Sequence, residues 1–323
     1  METDSEVVPA SGAAELIRLA GETRQFLAAA KAAGTRRAYR ADWDHFDAWC
    51  RHHSLDALPA TPETVALYIT ALAASHKPAT LRRRLTVIGL AHQAAGRPSP
   101  ASMQQTLVGE TLKGIRRTLG TAQTGKRPFF TEQVRAMIGA LPENLQGLRD
   151  RALLLIGFAG GFRRSELAGL AVDDIANEKD GLVATLRRSK TDQEGRGRKV
   201  AIPYGSHPET CPVRAYRDWL EAAGLEQGPV FREIDRHGRL QAKPLHKDSV
   251  GLIVKRAAAR IGLDAAEYAG HSLRAGLATQ AYLNGANELA IMQQTGHRSL
   301  ATVRKYIREQ SLFRDNPAGK LGL

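Results

Sequence analysis

The chain has 323 residues, a length suited to two domains, and its 43% hydrophobic and 24% charged residues are those of a globular protein, which excludes wholesale disorder. Lys and Arg number 46 against 33 Asp and Glu, a formal net charge of +13, and a surplus of that size suits a polyanionic partner, nucleic acid first. Aromatic residues are only 6%, which disfavours single-strand binding by base stacking and favours phosphate contacts. Cys50 and Cys211 stand far apart with no metal-ligand spacing, so neither a disulfide framework nor a structural zinc is expected, and a reducing cytoplasm fits. Residues 1–12 are an acidic tail expected to be disordered, the wrong charge for a signal peptide. The longest apolar run, 152–162, is too short to span a bilayer.

Residues 13–119 read as helices throughout. Over 36–52, Tyr39, Trp43, Phe46 and Trp49/Cys50 recur at helical spacing, with Thr35 as N-cap. Thr61-Pro62 is an N-cap followed by an N1 proline and opens a helix to about 75. Thr80 is expected to cap the next, with Leu81, Leu85 and Ile88 on its inner face. A last helix over 101–119 places Leu107, Ile115 and Leu119 inside. The stretch 120–127 (GTAQTGKR) is small, polar and basic and reads as a linker. Arg36, Arg37, Arg40, Lys77, Arg82, Arg83, Arg84, Lys113, Arg116, Arg117, Lys126 and Arg127 are the candidate contacts to a DNA backbone. Each alone would pass for a solvated surface residue; the ensemble of basic helix faces carries the argument.

From Pro128 the pattern mixes helix and strand. Thr131 is expected to cap a helix to about 141, and 145–159 is a helix apolar enough to be core. Strands over 182–187 and 199–202 bracket a turn rich in Gly, Arg and Lys (SKTDQEGRGRK). Cys211-Pro212 starts a helix to about 223, Asp248 caps one to about 261, and three short helices follow over 272–284, 288–294 and 300–309. The predicted class is mostly α with a small β-hairpin or sheet, in two domains: an all-helical N-terminal bundle and an α+β C-terminal domain.

Within the second half, Gly161-Phe162-Arg163-Arg164-Ser165-Glu166-Leu167 turns sharply from a buried helix and projects Arg163, which needs either an anion or a partner such as Glu166. His271-Ser272-Leu273-Arg274 puts His271 and Arg274 on one helix face, within reach of one phosphate. Gly296-His297 precedes a helix in which Leu300, Val303 and Ile307 form the buried stripe, with Tyr306 at its edge. Taken singly these are weak signals, and a tyrosine at a stripe edge is ordinarily packing.

Their order is distinctive: GFRRSEL, a hairpin lysine, HSLR, GH, then Tyr. The series resembles that of the tyrosine recombinase (phage integrase) family over most of the chain. Within it, Gly270-His271-Ser272, Arg274-Ala275-Gly276, Ile291-Met292-Gln293 and Tyr306-Ile307-Arg308 are most like the Cre recombinase type. The resemblance implies a core-binding, DNA-binding domain over 13–119, a linker over 120–127, a catalytic domain over 128–311, and a tail over 312–323 that docks on a neighbouring protomer.

It also assigns roles. Arg163 is similar to the first catalytic arginine, with Phe162 in place of the usual leucine, and Glu166 to the acidic residue that buttresses it. Lys190 matches the mobile hairpin lysine, with Lys199 as runner-up. His271 and Arg274 match the HxxR pair, His297 the second histidine and Tyr306 the nucleophile. The activity implied is site-specific DNA recombination through a 3′-phosphotyrosyl intermediate, with no cofactor, metal or ATP. The implied partner is double-stranded DNA carrying two inverted-repeat half-sites. The protein would act as a homotetramer on DNA and be a monomer or weak oligomer when free, in the cytoplasm and off the membrane. A type IB topoisomerase shares the constellation, and a DNA-binding protein without catalysis is the reading from another class. Leu312, Phe313, Leu321 and Leu323 in the tail favour the recombinase over the topoisomerase.

Overall fold

The computed structural model describes residues 15, 18–23, 25, 30–102, 106–121, 125–187, 197–307, 318 and 321. The chain divides into two units, Met1–Thr124 and Gly125–Leu323. It is mostly helical with small sheets, as the sequence pattern predicts. Among the described residues no helix is long and apolar enough to cross a membrane.

The first unit holds α1 (Ala33–His52), α2 (Pro62–Ala73), α3 (Pro78–Ala94) and α4 (Thr106–Leu119). Phe46, Cys50, Val65, Tyr68, Ile69, Leu81, Leu85, Ile88, Val108 and Leu112 form its core. Thr61 caps α2 as expected, its hydroxyl accepting from Thr64 N at 3.2 Å. The other two expected caps are displaced. α1 starts at Ala33, before Thr35, without a side-chain cap, and α3 starts at Pro78 rather than after Thr80. Proline at N1 has its φ already set and loses no helical hydrogen bond, so it outcompetes a threonine two residues later. In α4 the buried stripe is Val108 and Leu112, while Leu107 and Leu119 are exposed. The apolar residues of that helix fit two faces offset by one position, and only the neighbouring helices choose.

A polar cluster lies inside this unit. Asp42 is buried and accepts from Arg83 Nε and Nη2 at 2.7 and 2.9 Å. Arg84 is also buried, with Nε 3.6 Å from the same carboxylate, Nη1 donating to Tyr68 Oη and Nη2 3.3 Å from His76 Nε2.

The second unit begins with α5 (Thr131–Gly139), α6 (Leu145–Gly160) and α7 (Arg164–Ala168). Ala152, Leu153, Leu154, Leu155 and Ile156 of α6 are buried, as their unbroken apolar run requires. A three-stranded antiparallel sheet follows: β1 (Ile175–Glu178), β2 (Gly181–Leu186) and β3 (Arg198–Pro203). Its register pairs Leu182 with Ile202 and Ala184 with Val200, all four buried. β1 was not expected because only its first residue is buried, which leaves no alternation to read. After α8 (Pro212–Ala223) comes a hairpin of β4 (Arg232–Ile234) and β5 (Leu240–Pro244), also unforeseen and only partly buried. The chain then forms α9 (Lys247–Arg260), α10 (Gly270–Leu283), α11 (Glu288–Thr295) and α12 (Leu300–Ile307). The caps of α5 and α9 fall at Phe130 and His246, not at Thr131 and Asp248.

Candidate active site

Two glycines shape the site. Gly161 ends α6 at a left-handed φ of 59°, and a Cβ there would come within 2.6 Å of Leu277 Cδ2. The chain reverses and delivers Arg163 to the N-cap of α7. Glu166, at the third position of that helix, accepts from Arg163 N at 2.9 Å and from the Arg163 guanidinium, while Arg163 Nη2 reaches Gly296 O at 3.4 Å. Gly296 is the second, with φ of 64° and Arg198 Nε 2.7 Å from where its Cβ would be. Arg198, at the start of β3, donates from Nη1 to Gln294 O at 2.7 Å and lies 3.4 Å from Glu166 Oε2 through Nη2. One buried carboxylate therefore joins two guanidiniums from separate elements.

α10 supplies the next pair, His271 and Arg274, one helical turn apart. Arg274 is 1% exposed; Nη1 donates to Gly161 O at 2.6 Å, and Nη2 is buried with no hydrogen-bond partner among the described residues. Its pKa falls to about 10, chiefly through burial and then through Arg163, with Glu166 and Tyr306 opposing. A guanidinium remains charged under those conditions, so the cost is carried by the fold and an approaching anion relieves it.

α12 brings Tyr306 against this cluster. Val303 and Ile307 are buried and anchor the helix, and Tyr306 O accepts from Thr279 Oγ1 at 3.1 Å. His271 Nε2 lies 2.7 Å from Tyr306 Oη, and the His297 ring is 5.5 Å from the Tyr306 ring, centroid to centroid. Burial raises the Tyr306 pKa, and Arg274 and Arg163 pull it back down. His297 falls to about 3, through burial first and then Arg274, Arg163, His271 and Arg198. Its Nδ1 is 2.7 Å from Thr295 Oγ1.

Arg163, Glu166, His271, Arg274, His297 and Tyr306 thus come together. Lys190 and its turn lie outside the described residues, as does the tail over 308–317. Lys199 is on β3, exposed and paired in register with Thr185. Sequence reading missed Arg198, Thr295 and Gln294, whose amide reaches Ala159 O and Ala201 O at 3.1 and 2.9 Å. The one signal for Arg198 was the GRGRK run, which reads equally as a charged turn.

The residues matched by the phage integrase family model, 129–312, contain this entire cluster. The chain belongs to that family, the tyrosine recombinases. It is 41% identical over 308 residues to an integrase/recombinase xerD homolog of Selenomonas ruminantium, covering 94% of this chain and 90% of the relative. It is 33% identical over 173 residues to tyrosine recombinase XerC of Pelobacter propionicus (strain DSM 2379 / NBRC 103807 / OttBd1), covering 51% and 49% respectively. The fold resembles that of a XerH site-specific recombinase bound to a palindromic difH substrate in a post-cleavage complex. That likeness has a TM-score of 0.58 at 18% identity and covers 80% of this chain and 71% of the other. The chain is therefore XerD/XerC-like, which corrects the expectation of a specifically Cre-type member.

The candidate DNA contacts divide. Arg36, Arg37 and Arg40 are exposed on the first turns of α1. Lys77, Arg82 and Arg116 line one groove of about 700 Å³ in the first unit, and Arg117 is exposed beside them on α4. Arg84 is a correction: burial with Asp42, Tyr68 and His76 keeps it from any phosphate. Arg83 is half-exposed and pairs with Asp42, and Lys113 lies 3.1 Å from Glu110. Lys126 and Arg127 belong to the second unit, where Lys126 Nζ donates to Ala266 O and Arg127 pairs with Glu267 at 2.9 Å.

Proposed function

We propose that this chain is a site-specific recombinase that cleaves and rejoins duplex DNA through a 3′-phosphotyrosine. The observation that carries the reading is Tyr306 Oη at 2.7 Å from His271 Nε2, in a cluster with a buried arginine whose Nη2 has no partner among the described residues. Tyr306 Oη attacks the phosphorus, His271 takes its proton, and the bond from phosphorus to the 5′ oxygen breaks. Arg163 and Arg274 neutralise charge on the nonbridging oxygens as the phosphorane-like state forms. Glu166 holds Arg163 in place, His297 meets the phosphate, and Lys190 protonates the departing 5′ oxygen. The phosphotyrosine retains the bond energy, so the reverse attack by a 5′ hydroxyl rejoins strands without ATP. The guanidiniums supply the positive charge that a metal would otherwise bring.

Arg36, Arg37, Arg40, Lys77, Arg82, Arg116 and Arg117 are proposed to meet the DNA backbone, on a site of two inverted half-sites occupied by four protomers. The net charge of +13 and the DNA-bound state of the XerH neighbour support that partner.

The test is a nicked suicide duplex bearing the target site. Wild-type protein accumulates a covalent adduct, and Tyr306→Phe binds DNA and forms none. Lys190→Ala fails on ordinary DNA but recovers when the bridging 5′ oxygen is replaced by sulfur, a leaving group that hardly needs an acid; Arg163→Ala and Arg274→Ala do not recover. Rescue of Lys199→Ala in place of Lys190→Ala moves the general acid to Lys199. Relaxation of any supercoiled plasmid without strand exchange makes the protein a topoisomerase, and absence of any adduct leaves it a DNA-binding protein.

A further inference from the structure

Thr295 is fully buried at the end of α11, and its hydroxyl makes two short contacts, to Ile291 O at 2.6 Å and to His297 Nδ1 at 2.7 Å. A hydroxyl has one proton. An oxygen–oxygen contact of 2.6 Å without a proton would be repulsive, and a carbonyl has none to give, so the Thr295 proton is committed to Ile291 O. The contact to His297 is then closed by the other partner: Nδ1–H donates and Thr295 Oγ1 accepts.

From this we infer that Thr295 is a positioning residue that locks His297 in the Nδ1–H tautomer, so that Nε2 enters the reaction as a proton acceptor. The inference rests on the reading of His297 as a group that meets the phosphate. In the neutral ring only one nitrogen carries a proton, and the Nδ1–H form is the less favoured one for a histidine side chain in water. Left to itself the ring would favour Nε2–H, a ready donor to a nonbridging oxygen. With Nδ1 held by Thr295, Nε2 becomes a donor only by taking up a proton.

The groups around the ring set when that uptake happens. Arg163 faces it from the N-cap of α7, Arg198 from β3, His271 and Arg274 from α10, and Tyr306 from α12, with the Glu166 carboxylate paired to Arg163 and Arg198. Burial first, and then the guanidiniums, keep the ring neutral in the free protein. A phosphodiester between Arg163 and Arg274 cancels part of that field and favours the imidazolium. Engagement of the scissile phosphate is thus coupled to protonation of Nε2, with the proton arriving from solvent or from Tyr306 by way of His271. Without the threonine, a neutral ring donates from Nε2 and the coupling is lost.

The tautomer is read directly from imidazole ¹⁵N spectra of the full-length protein, with His297→Gln identifying the signal. Wild-type protein shows a protonated Nδ1 and an unprotonated Nε2 at neutral pH; Thr295→Ser keeps that pattern and Thr295→Val reverses it. On the suicide duplex, Thr295→Val binds DNA with unchanged affinity, forms adduct about tenfold more slowly, and has an altered pH–rate profile, while Thr295→Ser stays near wild type. An Nε2–H ring in wild-type protein overturns the proposal, whatever the activity of the variants. So does an unchanged tautomer or an unchanged pH profile in Thr295→Val. The spectra need no DNA cleavage, so they still decide if the recombinase reading fails.

Discussion

Among the buried arginines, Arg84 of the first unit and Arg274 of the second stand in opposite surroundings. Arg84 in the first unit sits beside the Asp42 carboxylate, donates to Tyr68 Oη and lies next to His76. Arg274 in the second has a backbone carbonyl on Nη1 and Tyr306 beside it, with Arg163 and Arg198 near it and Glu166 already engaged by both of those. Burial by itself therefore does not distinguish structure from function. The distinguishing feature is whether the surroundings match the charge: a carboxylate stands beside Arg84, whereas the charged groups around Arg274 are mainly the guanidiniums of Arg163 and Arg198.

The largest expected effect separates them directly. Arg274→Met, which roughly conserves volume, lowers the rate of suicide-substrate cleavage by about 10²–10³-fold and leaves thermal stability unchanged or raised, because an unmatched buried charge is removed. Calorimetry showing a marked loss of stability would break the comparison. Next comes Glu166→Gln, which strips Arg163 and Arg198 of their shared carboxylate. Urea denaturation should show about 3 kcal/mol lost from the second unit, and the deficit should shrink when Arg198→Met is added, since fewer like charges then face one another.

Arg84→Met reverses the Arg274 pattern. The first unit loses about 1–3 kcal/mol through the lost hydrogen bond to Tyr68 Oη, which keeps only His45 Nδ1 at 3.0 Å, and the weakened Asp42 contact, while cleavage at saturating protein on a suicide duplex is unchanged. A fall in the chemical rate would mean that Arg84 does more than hold the helices. A further effect is in pH dependence. His297 titrates near 3 in the folded protein against 6.5 for the ordinary side chain, so the unfolded chain binds the extra proton first. Its contribution to stability is present above pH 6.5 and is lost as pH falls towards 3. His297→Gln should flatten the acid limb by at most about 1.4 kcal/mol per pH unit in that window. Equal slopes in the two proteins would place His297 in a more solvated setting.

Chain-local features were legible before the fold. The N1 prolines of α2 and α8, the apolar run of α6 and the alternation in β2 and β3 each follow from forces acting within a few residues, and each element lies where those forces put it. The motif series likewise brought out Arg163, Glu166, His271, Arg274, His297 and Tyr306, because their order along the chain is itself distinctive. Offsets of a single residue were not legible: α4 could bury Leu107 or Val108, and a capping threonine could lose to a proline nearby. Nor could sequence separate Arg84 from its neighbours Arg82 and Arg83, three identical side chains of which one is buried, one paired and one at a groove. Arg198 and Thr295 were invisible for the same reason. What they do depends on which groups stand within 3 Å or so across the fold, Glu166 and Gln294 for the one, Ile291 O and His297 for the other. Pattern and propensity act locally along the chain, whereas the matching of a buried charge or the direction of a single proton is settled only by neighbours that tertiary packing brings together.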